Sequence, residues 1–195
     1  ALASRFGAPW VPEFCRGYQD VKGSPLDASD VEPIARGQIA EANAAERLAT
    51  DLVVLDTDLV STVVYARHYY GACPAWIEEA CRERRADLYL LCAPDLPWVA
   101  DGQRDRGDRR EEVHRLFSGA LGALGACVEL VEGEGPAREE AAGSSVFRTL
   151  MPGRAGGGVP AAGERKPGDA APAGADIVRS LQEPASNHPE EQERA

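Results

Sequence analysis

Leu52-Val53-Val54-Leu55 is an uninterrupted apolar run that stops on an acid, Asp56. Four consecutive apolar residues leave no polar face, so a strand made from them is buried on both sides, as in parallel sheets covered by helices. Leu88-Tyr89-Leu90-Leu91-Cys92 is a second such run, and Cys127 to Val131 reads as the last strand. Helical signals separate them. Ser29-x-x-Glu32 followed by Pro33 is a helix-start signature leading into Ile34, Ile39, Ala42, Ala45 and Leu48. A helix following the run that stops at Asp56 ends at Gly71, which suits a left-handed cap, and Trp76, Ile77, Ala80 and Cys81 fall at helical spacing. Val113, Leu116, Phe117, Ala120, Leu121 and Leu124 form an amphipathic helix closed by Gly125. Ala1 falls inside a further helix running into Arg5, Phe6 and Gly7, and Trp10 to Pro12 is a short extended run ending at Glu13. This alternation predicts an α/β domain with a mostly parallel sheet.

The chain has 195 residues, 44% of them hydrophobic, enough for one domain with a sizeable core. Residues 1–150 are expected to form it. After about residue 150, Gly156-Gly157-Gly158, several prolines, many alanines and a terminal acidic run leave little to bury, so 151–195 read as a disordered tail with a short helix near Ile177 to Leu181. A net charge of −11 argues against nucleic-acid binding through general electrostatics. No stretch approaches the roughly 20 apolar residues of a membrane span and no signal peptide is evident, so a soluble cytoplasmic protein is expected. Five widely spaced cysteines without a CxxC pair indicate neither a disulfide framework nor a zinc site; they read as reduced, mostly buried small hydrophobes.

Two constellations can carry chemistry. Asp56-Thr57-Asp58 places two carboxylates at the C-terminal end of a buried strand, the edge where open α/β sheets bind ligands. An acid there can hold Mg²⁺ beside a nucleotide, and it is equally the ordinary cap of the following helix. Pro97 to Arg110 is charged, Gly-containing and rich in Arg, which suits a lid over phosphate and also a solvated surface loop. His68 and His114 lack metal-ligand spacing. Tyr65, Tyr69 and Tyr70 are read as core packing rather than pocket lining.

Val11-Pro12-Glu13-Phe14-Cys15-Arg16, Gly37-Gln38, Leu55-Asp56-Thr57-Asp58, Gly71-x-Cys73-Pro74, Asp87 to Leu91 and Pro97-Trp98-x-x-Asp101-Gly102-x-Arg104 occur in an order and spacing that resemble the NadR-like nicotinamide riboside kinase family, over residues 1 to about 145. The resemblance implies a three-layer P-loop NTPase-like fold and transfer of the ATP γ-phosphoryl group to a small nucleoside such as nicotinamide riboside, with Mg²⁺ and ATP as cofactors. It makes Asp56 the Mg²⁺-positioning acid and places Asp58 near metal or ribose. Glu13 would orient or deprotonate the acceptor hydroxyl, with Arg16 nearby. Arg104 and Arg110 would be lid arginines, and Trp98 and Asp101 substrate contacts, Trp98 alternatively an apolar anchor for the lid.

The sequence departs from this pattern in one respect. The phosphate-cradling GxxxxGK[ST] does not occur in these 195 residues. Because Ala1 to Phe6 resembles the end of the helix that follows that loop, the resemblance places the loop and its strand upstream, leaving a gap in the sheet with exposed pairing edges. A non-catalytic binding or regulatory module that kept the fold is the alternative reading.

Overall fold

Strand Leu52–Asp56 (β2) and strand Leu88–Cys92 (β3) are buried along nearly their whole length, as their apolar runs require. In the computed structural model, residues 1–96, 109–151 and 175–180 are described, the last segment by its backbone course. Before β2 come helix Leu2–Phe6 (α1), strand Trp10–Val11 (β1), helix Phe14–Lys22 (α2) and helix Val31–Glu46 (α3). Helices Leu59–Tyr70 (α4) and Ala75–Glu83 (α5) link β2 to β3. Helix Arg110–Ala123 (α6), strand Val128–Val131 (β4), helix Gly135–Leu150 (α7) and strand Ala175–Ser180 (β5) follow.

The sheet order is β1-β2-β5-β3-β4. β1 pairs with β2, and β3 with β4, in parallel; β5 lies between β2 and β3, antiparallel to both. The gap expected in the sheet is thus closed by a strand from the C-terminal segment. That segment forms a strand where a short helix from Ile177 to Leu181 was expected, because pairing on both edges outweighs weak local helical preference. α7 also went unread in the sequence; it starts with Pro136 in its first turn.

Alternate residues of the central strands supply two cores. Val53, Leu55, Tyr89 and Leu91 pack with α3, α4, α5 and α6, whereas Leu52, Val54, Leu88 and Leu90 pack with α7 and, through partly buried Leu2, Ala3 and Phe6, with α1. Helices on both faces of a sheet make three layers. Gly71 caps α4 in the left-handed conformation, with φ 79°, as its sequence position predicts. Of the cysteines only Cys81 is buried and Cys127 is exposed, so burial is less general than expected; all are free. Tyr65 packs edge-on against Phe117, whereas Tyr69 and Tyr70 are exposed and do not belong to the core.

The start of α3 differs from the Ser29–Glu32 signature. Asp27 and Asp30 form the capping box around the short turn Ala28–Asp30. Asp30 also accepts from the Tyr18 hydroxyl at 2.9 Å and pairs with Lys22, tying α2 to the turn. The Lys22 ammonium, then the Asp27 amide, hold the Asp30 carboxyl below the usual range, and the Ser29 hydroxyl and amide, then Lys22, hold Asp27 at about 2. Folded-state values below the unfolded value of about 3.9 give stabilisation complete above that pH and lost as pH falls through the depressed values. Unfolding free energy measured by urea titration is therefore expected to drop between about pH 4 and pH 2, less steeply in Asp30→Asn than in the parent chain. Equal slopes would remove Asp30 from the acid response.

Candidate functional site

The strands β1, β2, β3 and β4 all run in one direction, so their C-terminal ends share an edge. Val11 pairs with Leu55, and Glu13 and Asp56 therefore leave neighbouring strands within two residues of that pair. The structure brings these two predicted acids to adjacent strand ends.

Glu13 occupies the N-cap position of α2 yet makes no side-chain cap bond. Its Oε2 accepts from Arg16 Nε at 3.3 Å, with both side chains partly exposed. Phe14, the first helical residue, instead donates its N–H to Gln38 Oε1 at 3.1 Å. A residue on another helix thus satisfies the first free amide of α2, and the Glu13 carboxylate, which makes no cap bond, stays at the ligand edge.

Asp56 is partly buried at the end of β2. Thr57 follows it with φ 67°, the left-handed region that a β-branched residue rarely adopts. Such backbone costs on the order of 1–3 kcal/mol and survives only where surrounding contacts impose it, a situation concentrated at functional sites. Here the contact is Gln38 Nε2, which donates to the Thr57 carbonyl at 3.3 Å.

Asp58 is placed otherwise than expected. Its Oδ1 accepts from the Val60 amide at 2.8 Å as the N-cap of α4, and its Oδ2 accepts from the Tyr89 hydroxyl at 2.9 Å. The Tyr89 oxygen in turn accepts from the Ala86 amide. Both carboxylate oxygens are engaged inside the fold and the residue is 9% exposed, so the observed geometry assigns Asp58 to holding the β2–α4 turn. Burial, then the charge of Asp58, raises the Tyr89 phenol and keeps it a neutral donor.

Further along the edge, Asp95 accepts from Arg138 Nη1 at 2.7 Å and from the Gly133 amide at 2.6 Å, while Arg138 Nη2 donates to the Ala93 carbonyl at 3.1 Å. This latch joins the loops after β3 and β4. The Arg138 guanidinium, then the Gly133 amide, hold the Asp95 carboxyl below its usual range. Arg110, at the start of α6, donates to the Leu96 carbonyl and so anchors the entry to the predicted lid. Trp98, Asp101 and Arg104 lie outside the described residues. Gln38, Thr57, Asp95 and Arg138 were not singled out from the sequence for a site role; for Gln38 the only signal was its place in the Gly37-Gln38 motif.

Residues 1–138 match the model of a family described as AAA domain. The chain belongs to this family. Among similar proteins, this AAA domain is 35% identical over 89 residues to the trifunctional NAD biosynthesis/regulator protein NadR of Escherichia coli (strain K12), covering 44% of the chain and 22% of NadR. It is 34% identical over 125 residues to NadR of Salmonella typhimurium (strain LT2), covering 55% of the chain and 30% of that protein. The matched part thus spans less than a third of either relative. A crystal structure of NadR protein in complex with NAD and AMP-PNP superposes with a TM-score of 0.59 at 22% identity, covering 76% of the chain and 44% of that structure's chain. The likeness carries the fold, a P-loop NTPase architecture with parallel strands. Among the described residues, no helix is long and apolar enough to cross a membrane.

Proposed function

We propose that this AAA domain is a nucleoside-kinase-like domain related to NAD metabolism, acting on a small nucleoside such as nicotinamide riboside. The observation that carries the reading is the pair Glu13 and Asp56 at neighbouring strand ends, with the Glu13 carboxylate making no cap bond to α2. Glu13 is suited to orient the acceptor 5′-hydroxyl and take its proton, and Arg16 to hold that carboxylate in place. The homology to NadR supports the substrate class.

Mg²⁺ fits this donor set. It prefers hard oxygens, keeps several waters and commonly takes only one or two carboxylates from protein, with phosphates supplying the rest. Among the described residues no cluster of three or more His, Cys, Asp or Glu could cage a metal, and Asp56 alone at the edge suits such an ion. When bound, the ion would neutralise phosphate charge. ATP fits less well. The 195 residues contain no GxxxxGK[ST] cradle, so the acceptor side is what they offer. The lid roles of Trp98, Asp101, Arg104 and Arg110 rest on sequence resemblance.

The lack of the cradle also supports a second reading, a binding module without phosphoryl transfer. Calorimetric titration with nicotinamide riboside, run beside a phosphorylation assay with Mg²⁺ and ATP, separates the two. Binding with turnover supports the kinase-like reading, with Asp56→Ala expected to lower the rate by about 10²–10³-fold. Binding without turnover supports the module. In either case Glu13→Ala should weaken riboside binding, and no binding to the parent chain would sink both.

A further inference from the structure

We infer that Gln38 is a positioning residue that holds the acceptor end of β1 and the metal end of β2 as one unit. The inference rests on the acceptor reading for its consequence, and on geometry for its substance. Gln38 is 5% exposed on α3, and its amide bridges Phe14 N–H and the Thr57 carbonyl. Those partners adjoin the two acids directly: Phe14 follows Glu13, and Thr57 follows Asp56.

The chemistry of the bridge is specific. One partner is an obligatory donor and the other an obligatory acceptor, so the amide orientation is determined by its neighbours. A side chain here must accept on one branch and donate on the other. An ionised carboxylate cannot donate, an ammonium cannot accept, and an apolar chain does neither. The approach that permits the bridge depends on Gly37, where an added Cβ would lie 2.0 Å from the Phe14 ring. Gly37 brings α2 against α3, and Gln38 uses that closeness to reach both strand ends.

Two effects follow for the site. The Phe14 amide is satisfied without recruiting the Glu13 carboxylate. The left-handed Thr57, which lies between Asp56 and Asp58, is held through its carbonyl. Without the bridge only the short β1–β2 pairing would relate the two half-sites, and an acceptor group bound at Glu13 would be held less closely in relation to Asp56.

The test uses Gln38→Met, which fills similar volume without either bond, and Gln38→Glu. In the latter the protonated carboxyl can both donate and accept, whereas its ionised form cannot donate. Calorimetry with nicotinamide riboside from pH 5 to pH 8, expressed as a variant-to-parent ratio, is expected to show Gln38→Met weaker by about tenfold or more at every pH. Gln38→Glu should be comparably weak at pH 8 and approach the parent at pH 5. Glu13 and Arg16 at the start of α2, Asp56 at the end of β2, Asp58 after it, and Arg84 after α5 are the other ionisable groups near this amide; they are common to all the proteins, so they cancel in the ratio for Gln38→Met, the uncharged control against which Gln38→Glu is read. A role in filling space would produce no recovery at low pH. Affinity of Gln38→Met within twofold of the parent, with Phe14 amide exchange no longer protected, would overturn the inference. If the parent chain binds no riboside, the acceptor reading fails and the side-chain carboxyl ¹³C resonances of Glu13 and Asp56 decide about Gln38. Displacement of both in Gln38→Met upholds the coupling, and displacement of one or neither overturns it. If Gln38→Met does not fold, the same resonances are followed in Gln38→Glu between pH 8 and pH 5, with joint recovery as the supporting outcome and its absence as the overturning one.

Discussion

Removal of residues 152–195 is expected to cost the domain its cooperative unfolding transition or to lower its thermal midpoint by more than about 10 °C, with light scattering from association. The reason is topological. β5 pairs along five positions with β2 and four with β3, and no direct β2–β3 pairing replaces it. Excision would leave two long apolar strands, their residues almost completely buried, with facing unpaired edges in the middle of the sheet. Unsatisfied backbone groups in such a place cost about 1–3 kcal/mol each, against a total stability of typically 5–15 kcal/mol. A narrower probe is Val178→Pro. Residue 178 pairs with both Val54 and Leu88, and proline there removes an amide donor from the centre of a sheet. Its expected cost is on the order of 3 kcal/mol, or roughly 6–12 °C in a domain of this size. Circular-dichroism melts of the two variants beside the parent give the answer, and melts that coincide would mean that 175–180 contributes nothing to the sheet.

Asp58→Ala should be the most damaging single change among the acids of the ligand edge, by about 2–4 kcal/mol. It removes the N-cap of α4, typically worth about 1 kcal/mol, and leaves the fully buried Tyr89 hydroxyl without its acceptor, worth about 1–3 kcal/mol more. Asp58→Asn keeps an acceptor oxygen for one of the two bonds and should recover part of that loss. Asp56→Ala, which leaves the N-cap of α4 and the Tyr89 acceptor in place, should cost less. Chemical denaturation of the three variants orders them. Should Asp56→Ala prove the least stable and Asp58→Ala resemble the parent, the structural assignment of Asp58 would be wrong, and a ligand role for it would be reinstated.

Much of the scaffold was legible along the chain because its signals are local. The apolar runs of β2 and β3 declare burial on two faces, Gly71 marks the end of α4 through its tolerance of positive φ, and the amphipathic stripe of α6 identifies its inner face. The placement of Asp56 at a strand end follows from the β2 run, and that of Glu13 from the short extended run Trp10 to Pro12. The family match and the fold likeness agree with that reading of the α/β architecture.

What remained illegible depends on residues far apart in the chain. Asp58 looks the same in sequence whether it faces a ligand or Tyr89; the difference is a hydroxyl 31 residues away. Gln38 is an unremarked polar residue on α3 until folding sets Phe14 on one side and Thr57 on the other, 24 and 19 positions distant. Thr57 carries no local signal for φ 67°, since its own preference opposes that conformation. The Ala-Asp-Ile-Val-Arg-Ser segment of β5 has too little apolar character to proclaim a central strand, and its pairing comes from the unpaired edges of β2 and β3. Local composition therefore determined most of the helices and the strands β2 and β3, and which acids end the strands, but not β5. Tertiary contact alone decided which carboxylates stay at the edge, which are consumed by the fold, and which strand occupies the middle of the sheet, because hydrogen-bond partners and sheet edges exist only after distant segments meet.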